Sequence, residues 1–315
     1  MKNKTILIIG GTGALGNTLT SRYCNDNTII IFSRDEHKQV NMKQKFKDVI
    51  YQIGDIKDKE SVLQALNEYK PHVVINTAAL KHVPVCEENP YESVKTNIIG
   101  HKNLIDCVSL SKCQIETLMF ISTDKACKPI NVYGMCKAIS ERLYIDFANK
   151  QTDIKIVLCR YGNVLESTGS VIPFFQKILE SGAKKLPITD ERMTRFLLSL
   201  EESVDLIEWA FNHKESHGNI VVPKLKSLKV VELAKEIAKT YGFENIDLDI
   251  VGIRPGEKLH EEMVSLEESL RAVEHEKYFM ITDEIINTDI FSFSSDKTLM
   301  LEDEVGDFLR KRGVL

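Results

Sequence analysis

Gly10-Gly11-Thr12-Gly13-Ala14-Leu15-Gly16 stands between an apolar, β-branched run at residues 5–9 and a stretch with helical spacing at 14–23. A glycine string joining a strand to a helix constrains the fold more than any other feature of this chain. Gly11, Gly13 and Gly16 satisfy G-x-G-x-x-G, and Gly10, Gly13 and Gly16 equally satisfy G-x-x-G-x-x-G. Glycine permits positive φ and lets the backbone approach a pyrophosphate, which the free N–H groups of the helix N-terminus then meet. Alone, the string also reads as a plain tight turn. The strand before it and the helix after it favour a dinucleotide site, with Gly10, Thr12, Gly13, Ala14, Leu15 and Gly16 as contacts.

Further apolar runs at 28–32, 73–76, 117–121 and 154–159 alternate with helical stretches at 59–69, 94–110 and 135–150. This order predicts an α/β fold, a doubly wound parallel sheet of the Rossmann type with helices on both faces. The alternation weakens after about Gly162. Helical stretches at 174–180, 201–211 and 228–241 and a strand at 246–251 predict a smaller C-terminal α/β lobe for the substrate. The expected division is a dinucleotide-binding domain over 1–164, with return segments within 191–224, and a second lobe built mainly from 165–315.

The 315 residues carry 41 Lys and Arg against 46 Asp and Glu, a net charge of −5, so no positive field is available to hold nucleic acid. No apolar run approaches the ~20 residues of a membrane span. The first residues, Met1-Lys2-Asn3-Lys4, lead into a strand without an apolar leader, and the expected location is cytoplasmic. Cysteines at 24, 86, 107, 113, 127, 136 and 159 form no C-x-x-C pair and read as reduced thiols. His213 and His217 share a helical spacing but lack a convincing third ligand, so no metal is expected.

The second strand should end over the adenosine ribose, and its end reads Phe32-Ser33-Arg34-Asp35. An arginine there suits a 2′-phosphate and an acidic residue suits a free 2′-hydroxyl. Arg34 comes first, Ser33 can donate to a phosphate and Lys38 is near, which favours NADP; Asp35 keeps NAD open. Asp55 either receives the adenine amino group or caps the helix that begins near Lys57.

Ser122-Thr123-Asp124-Lys125 closes the strand at 117–121, and Tyr133-Gly134-Met135-Cys136-Lys137 follows it. Spacing of i, i+4 puts Tyr133 and Lys137 on one helix face. An ammonium beside a phenol lowers the phenol's pKa toward that of a usable base. Ligands of open α/β sheets bind at the carboxyl edge where this cluster falls.

On these residues the sequence resembles the extended short-chain dehydrogenase/reductase superfamily. Within it, the chain is similar to the soluble UDP-N-acetylglucosamine 4,6-dehydratases. Four stretches carry the resemblance, which covers roughly residues 4–265: Asn76 to Pro84; Ser122 to Ala126 with Tyr133 and Lys137; Arg160 to Val164 with Gly169 to Pro173; and Arg254 to Lys258. The adjacent Asp124 and Lys125 are the most specific element. The last ~50 residues match nothing of use.

The resemblance implies C4 oxidation, loss of water across C5 and C6, and hydride return to C6. It implies Tyr133 as the base of the first step, with Lys137 holding the nicotinamide ribose and Ser122 or Thr123 holding the C4 oxygen. Lys125, its pKa lowered, would take the C5 proton, and Asp124, its pKa raised, would protonate the C6 hydroxyl. Cofactor contacts extend to Ile56, Ala78, Ala79, Lys81 and Asn97. Asn163, Pro173, Thr189, Arg195, Arg254 and Glu257 are implied for the nucleotide sugar, and Lys81 can also face it. Thr168 stands where relatives often have arginine. Tyr133 and Lys125 flanking C5 imply inversion there, giving UDP-2-acetamido-2,6-dideoxy-β-L-arabino-hex-4-ulose. A homo-oligomer, dimer or larger, is expected. The alternatives are a nucleotide-sugar 4-epimerase or ketoreductase, a retaining dehydratase, and a cofactor-binding regulator without catalysis.

Overall fold

The computed structural model of the protein describes residues 1–165 and 170–315; Thr168 and Gly169 fall outside them. The first half alternates β1 (Thr5–Ile9), α1 (Ala14–Tyr23), β2 (Thr28–Ser33), α2 (Glu36–Lys45), β3 (Ile50–Ile53), α3 (Lys59–Tyr69) and β4 (Val73–Asn76). Two short helices, α4 (Val83–Glu88) and α5 (Pro90–Val94), lead through a π-helical turn into α6 (Gly100–Leu110). Then come β5 (Thr117–Thr123), α7 (Val132–Lys150) and β6 (Lys155–Tyr161).

These strands pair in parallel in the order β3-β2-β1-β4-β5-β6, so the chain reverses direction across the sheet between β1 and β4. The crevice at the carboxyl ends of β1 and β4 is where such a sheet takes its ligand. The strands are apolar on both faces because both are covered. Leu7 and Ile9 of β1 pack with Leu104 and Tyr144 on one side, while Ile6 and Ile8 pack with Leu19 and Ile207 on the other. Each such side chain contributes about 1.5–3 kcal/mol by burial.

The second half contains β7 (Asn163–Val164), α8 (Val171–Glu180), β8 (Lys185–Ile188), β9 (Thr194–Leu198), α9 (Leu200–Asn212), β10 (Ile220–Pro223), β11 (Ser227–Lys229), α10 (Val230–Thr240) and β12 (Asp247–Ile250). It ends with β13 (Glu262–Val264), α11 (Leu266–Ser269), β14 (Ala272–Glu274), β15 (Tyr278–Ile281), β16 (Phe293–Ser294) and α12 (Glu302–Arg310). A separate apolar cluster, including Phe175, Leu186, Leu197, Leu233, Ile237 and Leu309, holds the smaller lobe together. The chain crosses back twice. Helix α9 packs on α1, and β10 joins β6 in parallel; later β15 pairs antiparallel with β10, and β14 with β15. The second return lies beyond the 191–224 interval expected from the sequence.

Candidate active site

The glycine turn is shaped by close approach. Gly10 has φ +75°, and a Cβ there would lie 2.7 Å from the backbone of Ala78 in the loop after β4. At Gly16 a Cβ would overlap the carbonyl of Gly11, so only glycine lets α1 start this near the strand. No side chain caps α1 and its first turn holds no acidic residue, which leaves its N–H groups and dipole for an anion. Ala14 and Leu15 open that turn. Thr12 and Ser33 join their hydroxyls at 2.8 Å across the ends of β1 and β2. Asn17, which the sequence reading missed, donates its amide to the carbonyls of Thr12 and Gly13 and braces the turn. These residues fit a dinucleotide pyrophosphate.

At the end of β2 the two candidate side chains have different surroundings. Asp35 caps α2, accepting from the Lys38 backbone N–H at 3.0 Å, and pairs with the Lys38 ammonium at 3.3 Å. Arg34 is 57% exposed and lies 3.8 Å from Asp55. Asp55 accepts from the Lys57 backbone N–H, but the cap of α3 is Asp58, so the capping role expected for Asp55 belongs to its neighbour. The Ile56 side chain is buried beneath α6, leaving only its backbone toward the crevice. Asn97 is also buried, and its amide closes a two-bond clamp on the backbone of Leu80. It therefore shapes the wall that leads from Ala78 and Ala79 into Leu80. Lys81 is exposed on the same loop.

The carboxyl end of β5 carries the catalytic candidates. Thr123 runs into a single 3-10 turn, Asp124–Ala126, and α7 follows with Asn131 as its cap. Lys125 Nζ donates to Asp124 Oδ1 and to Asn163 Oδ1, both at 3.0 Å, and lies 3.4 Å from Glu261 Oε1. Burial pushes the Asp124 carboxyl up, and the Glu261 charge adds to this against the pull of Lys125. Lys125 departs from expectation. Burial works to lower its pKa, but the two carboxylates Asp124 and Glu261 outweigh it and hold the ammonium protonated above its usual range.

Tyr133 also differs. Burial pushes its phenol up to about 12, and the charge that opposes this is Lys125, with Thr123 as hydrogen-bond partner. Lys137 does not act on the phenol here. Its Nζ donates to the Ile121 carbonyl and sits 4.1 Å above the Phe120 ring, and burial takes it down to about 7. The buried Ser122 hydroxyl donates to Glu141 Oε1 at 2.6 Å. Thr123 Oγ1 donates to Asp124 Oδ1 at 2.9 Å, so both hydroxyls expected at the C4 oxygen are engaged with carboxylates here.

Behind the site, Arg160 forms paired bonds with Glu141 on α7 and Glu268 on α11, and also donates to the Met263 carbonyl. This 1% exposed arginine ties the catalytic helix to the C-terminal segment. Asn131 makes a second tie, its amide donating to the Gly256 carbonyl at 2.8 Å.

Of the residues expected to hold the nucleotide sugar, Asn163 and Arg195 come together around Lys125 and Glu261. Asn163 meets Lys125 as above. Arg195 is 9% exposed, with its guanidinium on the carbonyls of Thr194, Lys258 and Leu259. It anchors the 258–259 segment and is no free diphosphate partner. Arg254 is exposed, and its N–H donates to the Glu257 carboxylate. Pro173 lies in the first turn of α8, and Thr189 directly follows β8. His217 bonds the Ile156 N–H and the Ala148 carbonyl, and His213 stacks on Trp209. Among the described residues there is no group of three or more potential metal ligands, and no helix is long and apolar enough to cross a membrane.

Residues 6–283 match the family described as polysaccharide biosynthesis protein, and the chain belongs to that family. It is 44% identical over 295 residues to a UDP-N-acetylglucosamine 4,6-dehydratase (inverting) of Campylobacter jejuni, covering 90% of this chain and 84% of that one. It is 39% identical to a UDP-glucose 4-epimerase of Rickettsia rickettsii, covering 89% and 83%. Its structure resembles Pen from Bacillus thuringiensis with a TM-score of 0.92 at 30% identity, over 100% of this chain and 99% of that one. The fold is also that of a dTDP-glucose 4,6-dehydratase of Streptomyces venezuelae, with a TM-score of 0.71 at 19% identity over 81% and 86%.

Proposed function

We propose that this chain is an NADP-dependent UDP-N-acetylglucosamine 4,6-dehydratase that inverts C5. The observation carrying this reading is the buried Asp124–Lys125 pair beside Tyr133 and Thr123. A 4-epimerase needs the phenol but has no task for such a pair. The 44% identity to a dehydratase supports the same choice.

NADP lying along the glycine turn, with its 2′-phosphate at Ser33 and Arg34, would accept hydride from C4 and return it to C6. Tyr133 takes the C4 hydroxyl proton in its ionised form, which the Lys125 ammonium favours against the burial that raises the phenol, while Thr123, turned from Asp124, holds that oxygen. The ketone so formed acidifies the C5–H. The Lys125 ammonium points a proton at Asp124 Oδ1 from 3.0 Å. Moving that one proton to Asp124, whose carboxyl burial pushes up, would leave a neutral amine and a neutral carboxylic acid, a transfer made against the hold that Asp124 and Glu261 together exert on the ammonium. The amine then accepts the C5 proton, the C5–H electrons form the C5–C6 double bond, and the C6 oxygen leaves as water with the Asp124 proton. Reprotonation of C5 from the Tyr133 side, opposite Lys125, inverts the centre. A second copy of the chain fits the α7 face that leaves Met135 and Ile139 about half exposed, a reading that sedimentation would check.

Incubation with UDP-N-acetylglucosamine and mass spectrometry tests the activity. Loss of the mass of one water is expected; an unchanged mass with a new sugar would make the chain an epimerase. Proton NMR of the fresh product in D₂O reads C5, and a product in the D-xylo series from the earliest times would reject inversion.

A further inference from the structure

Asp124 Oδ2 and Glu261 Oε2 are both buried without a hydrogen-bond partner among the described residues. Glu261 is 2% exposed and comes from the smaller lobe, just before β13. Its backbone is fixed at both ends, the N–H donating to Ser295 Oγ at 2.9 Å and the carbonyl accepting the Ser295 N–H at 2.8 Å. An ammonium has three protons to donate. Lys125 directs two at Asp124 and Asn163, and Glu261 Oε1 is the group nearest the third.

The surrounding charges are unequal. Arg195 from β9 lies 3.9 Å from Glu261 Oε1, and Lys258 lies 3.9 Å from Oε2. Among the described residues Asp124 has an ion pair with Lys125 alone. Tyr133 on α7 is the remaining titratable group against the pair, and Glu262 turns away to Lys128. Three cations therefore keep Glu261 ionised, while Asp124 is the carboxyl able to carry a proton.

We infer that Glu261 is a positioning residue for the elimination: its carboxylate holds Lys125 from the side of the smaller lobe so that the Asp124–Lys125 pair keeps one shared proton. The inference rests on the dehydratase reading above. Two coupled groups titrate as a unit, and the active form is the one with a single proton between them. A fixed negative charge beside the pair moves both edges of that form to higher pH. Burial pushing Asp124 up and the carboxylates holding Lys125 protonated agree with this.

Glu261→Gln removes the charge and keeps the shape. The water-loss step, followed in single turnovers by mass spectrometry, should shift both limbs of its pH profile down by about one unit or more. Glu261→Asp, which keeps the charge, should lose rate but keep the profile. The Lys125 side chain, followed by its ¹³Cε shift, should titrate at correspondingly lower pH in Glu261→Gln. A slower Glu261→Gln with unmoved limbs and an unmoved Lys125 titration would overturn the inference. If the wild-type protein releases no water, the dehydratase reading fails, and the Lys125 titration still decides the role of Glu261.

Discussion

Gly134, the third residue of the catalytic helix, lies directly against the carbonyl of Lys125, and a Cβ at Gly134 would overlap that oxygen. The phenol of Tyr133 and the Asp124–Lys125 turn thus keep their spacing through a backbone contact that tolerates no side chain. Gly134→Ala must push α7 away from the turn. Such misplacement is expected to lower turnover about a hundredfold and stability by ~1–3 kcal/mol. Turnover and thermal unfolding check this together, and near-normal turnover would show that the contact can relax without cost.

Among the described residues Arg34 has no closer ion-pair partner than Asp55 at 3.8 Å, whereas Asp35 is engaged as a helix cap. Arg34→Ala should weaken NADP about tenfold or more, the scale of a lost charge-assisted hydrogen bond, and NAD far less. Cofactor titration by fluorescence measures both; equal losses would remove Arg34 from the 2′-phosphate site.

Oxidation and elimination should separate by mutation. Tyr133→Phe is expected to slow the first hydride transfer by ~10²–10⁴, seen as absent reduced-cofactor absorbance. Lys125→Ala should still give some 4-keto sugar without loss of water. Dehydration by Lys125→Ala at the wild-type rate would identify another C5 base.

Burial takes Lys137 down to about 7, while an unfolded lysine titrates near ~10.4. Between those values the unfolded chain binds a proton that the folded chain has shed, so this group makes stability rise with pH there. Below about 7 both states hold the proton and the full burial penalty weighs on the fold. Lys137→Met should therefore stabilise most near pH ~6, by ~1 kcal/mol or more, with the gain shrinking toward pH ~10. Urea unfolding across this range is the measurement, and a gain independent of pH would point to packing alone.

Strong local signals were legible in the sequence, and signals that depend on tertiary contact were not. Residues 5–9, 14–23, 59–69 and 73–76 have the bounds their periodicity predicts. Helix α2 carried no signal because its only buried residues are Gln39 and Met42, too few for an apolar stripe. The 94–110 stretch is helical throughout, as its spacing predicts, but it widens into a π turn at Lys95–Ile99, where Asn97 turns inward to clamp Leu80. Asp124, Lys125, Thr123 and Tyr133 could be picked out as candidates because the strand end and the helix place them together over a short span. Ser122 and Thr123 look equivalent in sequence, but hydroxyls of neighbouring strand residues face opposite sides, and the Ser122 side reaches Glu141. Arg160 offered a clue, a charged residue inside an apolar strand. Glu261 offered none: one glutamate in a charged segment is distinguished only by where the fold buries it.

The late return of β15 to the edge of β10 affects the order in which the molecule can be completed. Until residue 281 has been synthesised, Ile220 to Pro223 form an open apolar edge, able to recruit a strand from another chain. The dinucleotide half, although nearly contiguous in sequence, cannot seal its sheet before most of the smaller lobe has been made. A ribosome-bound chain would stay prone to aggregation until β15 had emerged. The segment beyond 265, which also supplies Glu268 to Arg160, thus protects the nascent chain as well as shaping the finished fold.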